Sequence, residues 1–367
     1  MNYRKWVPVA AINTIVIFGF LLRVYNLSWQ CLKVDELVTQ TAAEMSTLNI
    51  FRWSLSVDYN PPLYYLLAHW SSMLFGEVTN FSMRLPAVIC GTIAIYLSYC
   101  IGKEVKSETL GLLVASLISF MFPFFYYSQD ARAYPLVLTA FLGFTLFWVK
   151  LYKGHQELKY VFGISCFAAL CIWSHYYSIV PMTIMAVCYC LKYKNRVVLC
   201  SAIITGILVL PLILIFDVSQ FISRTNHGVF NVLWHTPLAI ASMLPNEMFC
   251  WSVIVIIPLA IYSLYKYHCN TIFKAFSITG FLTACLLIPM AHFTAVMPRY
   301  AVLVSPLILV TAMYPIAKII DDTKAIDKKV AIFAGIVFLV FLFNYGSILS
   351  WMTFSICPWM QWQGYQV

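Results

Sequence analysis

Hydrophobic positions fill this chain in long runs, separated by short polar turns. Runs at 7–26, 84–103, 109–128, 132–150, 157–174, 176–191, 197–216, 248–266, 271–293, 299–317 and 330–350 approach the ~20 residues that a helix needs to cross a bilayer. The strict alternation of a transmembrane barrel is absent. The pattern predicts an all-α, polytopic integral membrane protein with about 11 transmembrane helices. The first run, Val7 to Leu22, leads into Arg23-Val24-Tyr25-Asn26 with no small-residue cleavage site, so it reads as a retained helix. A shorter run opens at Pro61-Pro62 and closes at Gly76, with Leu63, Leu66, Leu67, Trp70, Met73 and Leu74 at helical spacing. At roughly 14 residues it is short for a span. Counting it as one would also put the lysine-rich turns that follow on the opposite side. It is expected to lie along the interface as one of the juxtamembrane helices of the first outer loop.

Composition agrees. Of 367 residues, 62% are hydrophobic and 10% charged, against about 25% charged in soluble domains. Mean hydropathy is +0.83. A water-facing exterior cannot be built from so few polar groups. With neither internal repeat nor low-complexity linker, residues 1–367 read as one membrane domain.

Charge sets the sidedness. The net charge is +9, and with Arg4 and Lys5 inside, the turns bearing Lys103 and Lys106, Lys150, Lys153 and Lys159, Lys192, Lys194 and Arg196, Lys266 and Lys274, and Lys318 to Lys329 all fall on the cytoplasmic side. The expected location is the plasma (inner) membrane, amino terminus cytoplasmic. The opposite connections include long outer loops at 27–83 and 217–247. They carry Asp35, Glu36, Asp58, Arg84, Asp130, Arg132, His175, Asp217, Arg224, Glu247 and Arg299, but only Lys33 as a lysine. Arginine's planar fork suits a phosphate better than an ammonium does. Mixed polar loops would be unremarkable one at a time; the consistent sidedness marks this as the working face.

Within it, Asp35 is the candidate general base, since a carboxylate beside a membrane-bound substrate can take a proton from an attacking hydroxyl. Glu36 and Asp58 are candidates for positioning the site or the acceptor, although Asp58 also suits a plain helix entry. Arg132, Arg299 and Arg84 each open a membrane helix on this side. They are candidate phosphate ligands, with interfacial snorkelling as the plainer reading.

Most of the twelve cysteines sit in apolar runs, as small hydrophobes. Only Cys31 and Cys357 lie in outer segments beyond the helices; a bridge between them is not expected, since sequence alone does not set connectivity. His175, His227, His235 and His292 show no i, i+4 ligand spacing. The metal and cofactor assignment therefore stays unknown, though a divalent ion would make chemical sense beside a leaving phosphate. No Walker-type phosphate loop and no G-x-S-x-G elbow is present, and nucleic-acid signatures are missing.

The ordered set Asp35-Glu36, Asp58 to Tyr65, Phe75-Gly76, Arg84-Leu85-Pro86 and Asp130 to Tyr134, with Arg299-Tyr300 and Pro306 later, resembles the GT-C membrane glycosyltransferases. It is most similar to their protein O-mannosyltransferase and aminoarabinose-transferase branch. The resemblance is strongest from residue 20 to 150. It implies a polyprenyl-phosphate-linked sugar donor, an acceptor hydroxyl on a glycolipid such as lipid A, a polysaccharide or a protein, extracytoplasmic transfer with inversion, and Asp35 at the catalytic aspartate. One departure stands out: Asn60 precedes the Pro-Pro where aminoarabinose transferases have lysine, which argues against that particular donor. The competing reading is a lipid-linked glycan flippase or transporter. Such proteins tend to hold ionisable groups in interrupted helices near mid-membrane, whereas these charges lie at outer helix ends.

Overall fold

The structure is a computed structural model that describes residues 3–58, 60–193, 196–215, 248, 252–267, 269–290 and 298–353. Among them the fold is helical, without a strand. In order come α1 (Tyr3–Val24), α2 (Val34–Ala43), α3 (Thr47–Trp53), a π turn (Ser54–Asp58), α4 (Leu63–Phe75), α5 (Asn80–Val105), α6 (Glu108–Phe120), α7 (Phe122–Tyr127), α8 (Tyr134–Tyr152) and α9 (Leu158–Ser174). A 3₁₀ turn (Tyr176–Ser178) leads to α10 (Ile179–Cys190) and α11 (Arg196–Ile215); then come α12 (Val253–Lys266), α13 (Thr271–Met290), a 3₁₀ turn (Pro298–Leu303), α14 (Ser305–Asp322) and α15 (Ile326–Thr353).

A helix occupies every apolar run expected from the sequence. Among the described residues four, at Asn80–Val105, Tyr134–Tyr152, Arg196–Ile215 and Thr271–Pro289, are long and apolar enough to cross a membrane by length and composition; several more are shorter and apolar. Three runs are divided, the one at 176–191 by the 3₁₀ turn that precedes α10. The run at 109–128 breaks at Met121, which is extended (φ −68°, ψ 133°) and hands over to α7 with a proline in its first turn. Continuing α6 through Pro123 would drive its ring against the carbonyl four residues back. The run at 299–317 starts as the 3₁₀ turn, and α14 begins only at Ser305.

The loop at 27–83 is largely helical. The helix after Pro61-Pro62 is present as α4, closed by Gly76 in the left-handed region (φ +80°), where glycine has no Cβ penalty. Helices α2 and α3 precede it, in the stretch where further juxtamembrane helices were expected. Asp35 and Glu36 are therefore not loop acids: they occupy the first turn of α2, where the helix dipole favours negative charge. The segment 217–247 lies outside the described residues, as do His227, His235, His292 and Cys357. Cys31 is disulfide-bonded.

Helix α5 is the spine, packing against α1, α4, α6 and α8; α8 carries α9, α9 carries α11, and α14 joins α6, α12 and α13. α5 and α6 come close because Gly102 faces Gly111: a Cβ on Gly102 would sit 2.6 Å from the Gly111 Cα. The polar groups separate to two ends. At one, Lys106 pairs with Asp321 at 2.5 Å and Lys153 with Glu104 at 3.1 Å, Lys192 stands over the Tyr152 ring and Lys318 over Tyr267. Contacts among Asp35, Glu36, Arg84, Asp130, Arg132 and Arg299 gather at the other.

Candidate active site

Two neighbouring acids on α2 have different fates. Successive helix positions are ~100° apart, so Glu36 turns into the protein while Asp35 stays at its edge. Glu36 is fully buried and grips Arg84 through two bonds, Arg84 Nε to Oε1 and Nη2 to Oε2, each 2.7 Å. It also accepts the backbone N–H groups of Lys33 (2.9 Å) and Ala131 (2.8 Å). Burial alone would raise the Glu36 carboxyl, but Arg84 and these two amides outweigh it and hold it below the usual carboxylate range.

Arg84 is a candidate phosphate ligand whose guanidinium is engaged within the protein. Its guanidinium is fully buried, and besides Glu36 it donates to the carbonyls of Leu27, Gln30 and Cys31 at 2.9–3.0 Å. All five N–H groups of an arginine are thus committed, and none is left for a ligand. Arg84 ties the chain leaving α1 to the start of α5. Nearby, Lys33 Nζ lies 2.7 Å from Asp130 Oδ1 and 3.7 Å above the Tyr126 ring. Burial raises the Asp130 carboxyl against the pull of Lys33.

Asp35 is placed otherwise. Its side chain is 41% exposed and meets Arg299 Nη2 at 2.6 Å through Oδ2. Arg132 Nη1 donates to the Asp35 carbonyl (3.2 Å) and to the Tyr65 hydroxyl (3.1 Å). That hydroxyl donates to Asp58 Oδ2 at 2.6 Å, and the Asn60 amide donates to the same oxygen at 2.8 Å. Asp35, Arg299, Arg132, Tyr65 and Asp58 thus form one connected set. Asn60, at the departure from the aminoarabinose-transferase pattern, is spent on Asp58.

The two arginines keep donors in hand. Arg132 uses only Nη1, with no hydrogen bond at its other nitrogens among the described residues. Arg299 uses Nη2, while its buried Nε has no hydrogen-bond partner among the described residues. A buried donor left open in an otherwise well-bonded region points to a missing acceptor. Both guanidiniums are held above their ordinary range: burial works against this, and neighbouring Tyr65 and Tyr134, for Arg132 and Arg299 respectively, lead the opposing pull, with Asp35 contributing to each.

Aromatic rings complete the site. Arg299 lies over the Tyr134 ring (5.2 Å), and Tyr300 and His175 meet edge to face at 4.5 Å. Asn60, Tyr65, Arg132, Tyr134, His175 and Tyr300 line a small cavity. An apolar groove of about 330 Å³ runs between α8, α9, α10 and α11, from Ile172 and Ile179 near His175 to Leu151 and Val197. Among the described residues no cluster could hold a metal ion. Sequence reasoning also missed Arg23, fully buried at the end of α1, which donates to Ser128 and to the carbonyls of Gly19, Ile118 and Ser119. Its place inside an apolar run was the only signal.

A helical membrane bundle with acids and arginines gathered at one end defines the class: this is an integral membrane protein with the GT-C glycosyltransferase fold. Residues 59–221 match the family described as dolichyl-phosphate-mannose-protein mannosyltransferase. ArnT from Cupriavidus metallidurans, in the apo state, is similar with a TM-score of 0.61 and 13% identity, over 88% of this chain and 61% of that one. The same enzyme bound to undecaprenyl phosphate gives 0.61 and 12%, over 87% and 61%. The archaeal oligosaccharyltransferase AglB from Archaeoglobus fulgidus, in complex with an inhibitory peptide and a dolichol-phosphate, gives 0.67 and 12%, over 99% and 57%. The chain thus spans about three fifths of the length of these solved structures. No curated protein sequence matches it significantly.

Proposed function

We propose that this protein is an inverting glycosyltransferase that moves a sugar from a polyprenyl-phosphate donor to an acceptor hydroxyl on the extracytoplasmic face. The observation that carries the reading is the half-exposed Asp35 carboxylate beside two arginines with unused donors. Asp35 accepts the proton of the acceptor hydroxyl as its oxygen attacks the anomeric carbon. The bond from that carbon to the phosphate oxygen breaks, and the lipid phosphate leaves with the electron pair. Arg132 and Arg299 stabilise the charge that develops there; fixed donors aimed at developing charge are effective in a water-poor site. A phosphate leaving group needs no protonation, so one carboxylate suffices.

Further support comes from the groove below His175, which offers apolar walls for a prenyl chain, and from ArnT and AglB, solved with undecaprenyl phosphate and dolichol-phosphate. The disulfide at Cys31, four residues from Asp35, suits an oxidising compartment and hence an extracytoplasmic site. Asp58, held by Tyr65 and Asn60, positions Arg132 through the Tyr65 hydroxyl. Glu36 positions Ala131, next to Arg132.

The experiment uses purified protein in liposomes with a radiolabelled polyprenyl-phosphate sugar and candidate acceptors. Label appearing in an acceptor with release of lipid phosphate is the expected result. Label crossing the bilayer on an intact donor, with no transfer, would identify a flippase instead.

A further inference from the structure

We infer that His175 is a third donor to the lipid phosphate, holding it through the Nε2–H of a neutral imidazole beside Arg132 and Arg299. This rests on the donor class proposed above. The tautomer follows from a local bond. The Tyr177 backbone N–H donates to His175 Nδ1 at 3.2 Å, so Nδ1 is the acceptor and a neutral ring has its proton on Nε2. No hydrogen bond meets Nε2 among the described residues.

The ring is held in place. His175 lies between α9 and the 3₁₀ turn at Tyr176–Ser178, its carbonyl accepts from Ser178 (2.7 Å), and Tyr300 packs against its edge. It lines both the small cavity with Arg132 and the adjoining one with Arg299. The imidazole stands where the two arginines' sites meet. It also stays uncharged: burial, then Arg132 and Arg299, hold it down to about 4.

A neutral donor suits this position. Two guanidiniums already exceed the single charge of a phosphodiester, and a third buried cation would add desolvation cost. An N–H that is neutral before the donor arrives adds a directed hydrogen bond without that cost. The bond strengthens as the phosphate gains charge on leaving. His175 therefore contributes more to turnover than to donor capture.

The test pairs two substitutions with two readouts. His175→Asn keeps an acceptor near the Tyr177 N–H but is too short to place a donor where Nε2 lies; His175→Gln can place an amide N–H there. Binding of undecaprenyl phosphate to purified protein is followed by the ³¹P resonance of the bound lipid, and turnover is measured with a labelled polyprenyl-phosphate sugar. Thermal stability is checked for both variants. The expected result is that Asn weakens lipid binding about tenfold, lowers kcat about 10²-fold and leaves stability unchanged, while Gln restores most of both. Wild-type binding and kcat in the Asn variant would overturn the role, as would Gln behaving like Asn. If the unaltered protein fails to bind undecaprenyl phosphate, the donor class falls, and the His175 assignment with it.

Discussion

Glu36–Arg84 and Asp35–Arg299 are acid–arginine pairs one residue apart on α2, and they differ in what they leave unused. In the first, both partners are fully buried and every donor of the arginine is engaged within the protein. In the second, the carboxylate is half exposed, one contact joins the partners, and among the described residues the arginine keeps a buried donor open. Satisfaction marks the first pair as scaffold. Residual bonding capacity makes the second the proposed place for a ligand. The same measure separates Arg132 from Arg84, although both open helices on one face.

The largest effect expected from this contrast is on Arg84. Arg84→Ala strands the Glu36 charge inside the protein and should cost ~3–5 kcal/mol of stability, seen as loss of the monodisperse protein or a large fall in its melting temperature in detergent. A variant that melts like the wild type would erase the distinction between the pairs. Next comes Arg299→Ala, which should lower kcat by about 10²–10³-fold with little change in melting temperature. Arg299→Lys should recover only part of that, because an ammonium lacks the planar fork. An Arg299→Ala protein that turns over normally but unfolds early would swap the roles assigned to the two arginines.

The pH response sharpens the comparison. The Glu36 carboxyl is held below its ordinary value in the folded protein, so its contribution to stability is fully present above the unfolded value of about 4.3. That contribution is lost as pH falls through the lower folded value. Melting temperature measured from pH 7 downward should drop below about pH 4 more steeply for wild type than for Glu36→Gln. Parallel curves would show that Glu36 is not stabilising as a carboxylate. The smallest effect belongs to Tyr65→Phe, which removes the link between Asp58 and Arg132 and should reduce kcat by about tenfold. A loss as large as that of Arg299→Ala would place Tyr65 on the substrate.

Much of this was legible in the sequence, and the reason is physical. Apolar runs of bilayer length announce helices, and lysine-bearing turns on one side leave the arginines on the other; the contacts at the two ends follow that division. Asp35, Arg132 and Arg299 could be singled out because each falls near a helix end in the lysine-poor connections. What one dimension does not carry is which donors are already spent. Arg84 reads like Arg132 until the turn after α1 brings the carbonyls of 27, 30 and 31 onto its guanidinium. Asp35 and Glu36 read alike until α2 forms and rotates one inward. His175 looked like an ordinary outer-loop histidine, since the Tyr177 N–H that sets its tautomer appears only once the chain has turned.

The central claim is that the Asp35 carboxylate takes the acceptor proton, and Asp35→Asn tests it most directly. The amide keeps the size of the side chain and removes the base. Transfer from a labelled polyprenyl-phosphate sugar should fall by about 10²–10⁴-fold, while undecaprenyl phosphate still binds and the melting temperature holds. Transfer at the wild-type rate in that variant would contradict the account.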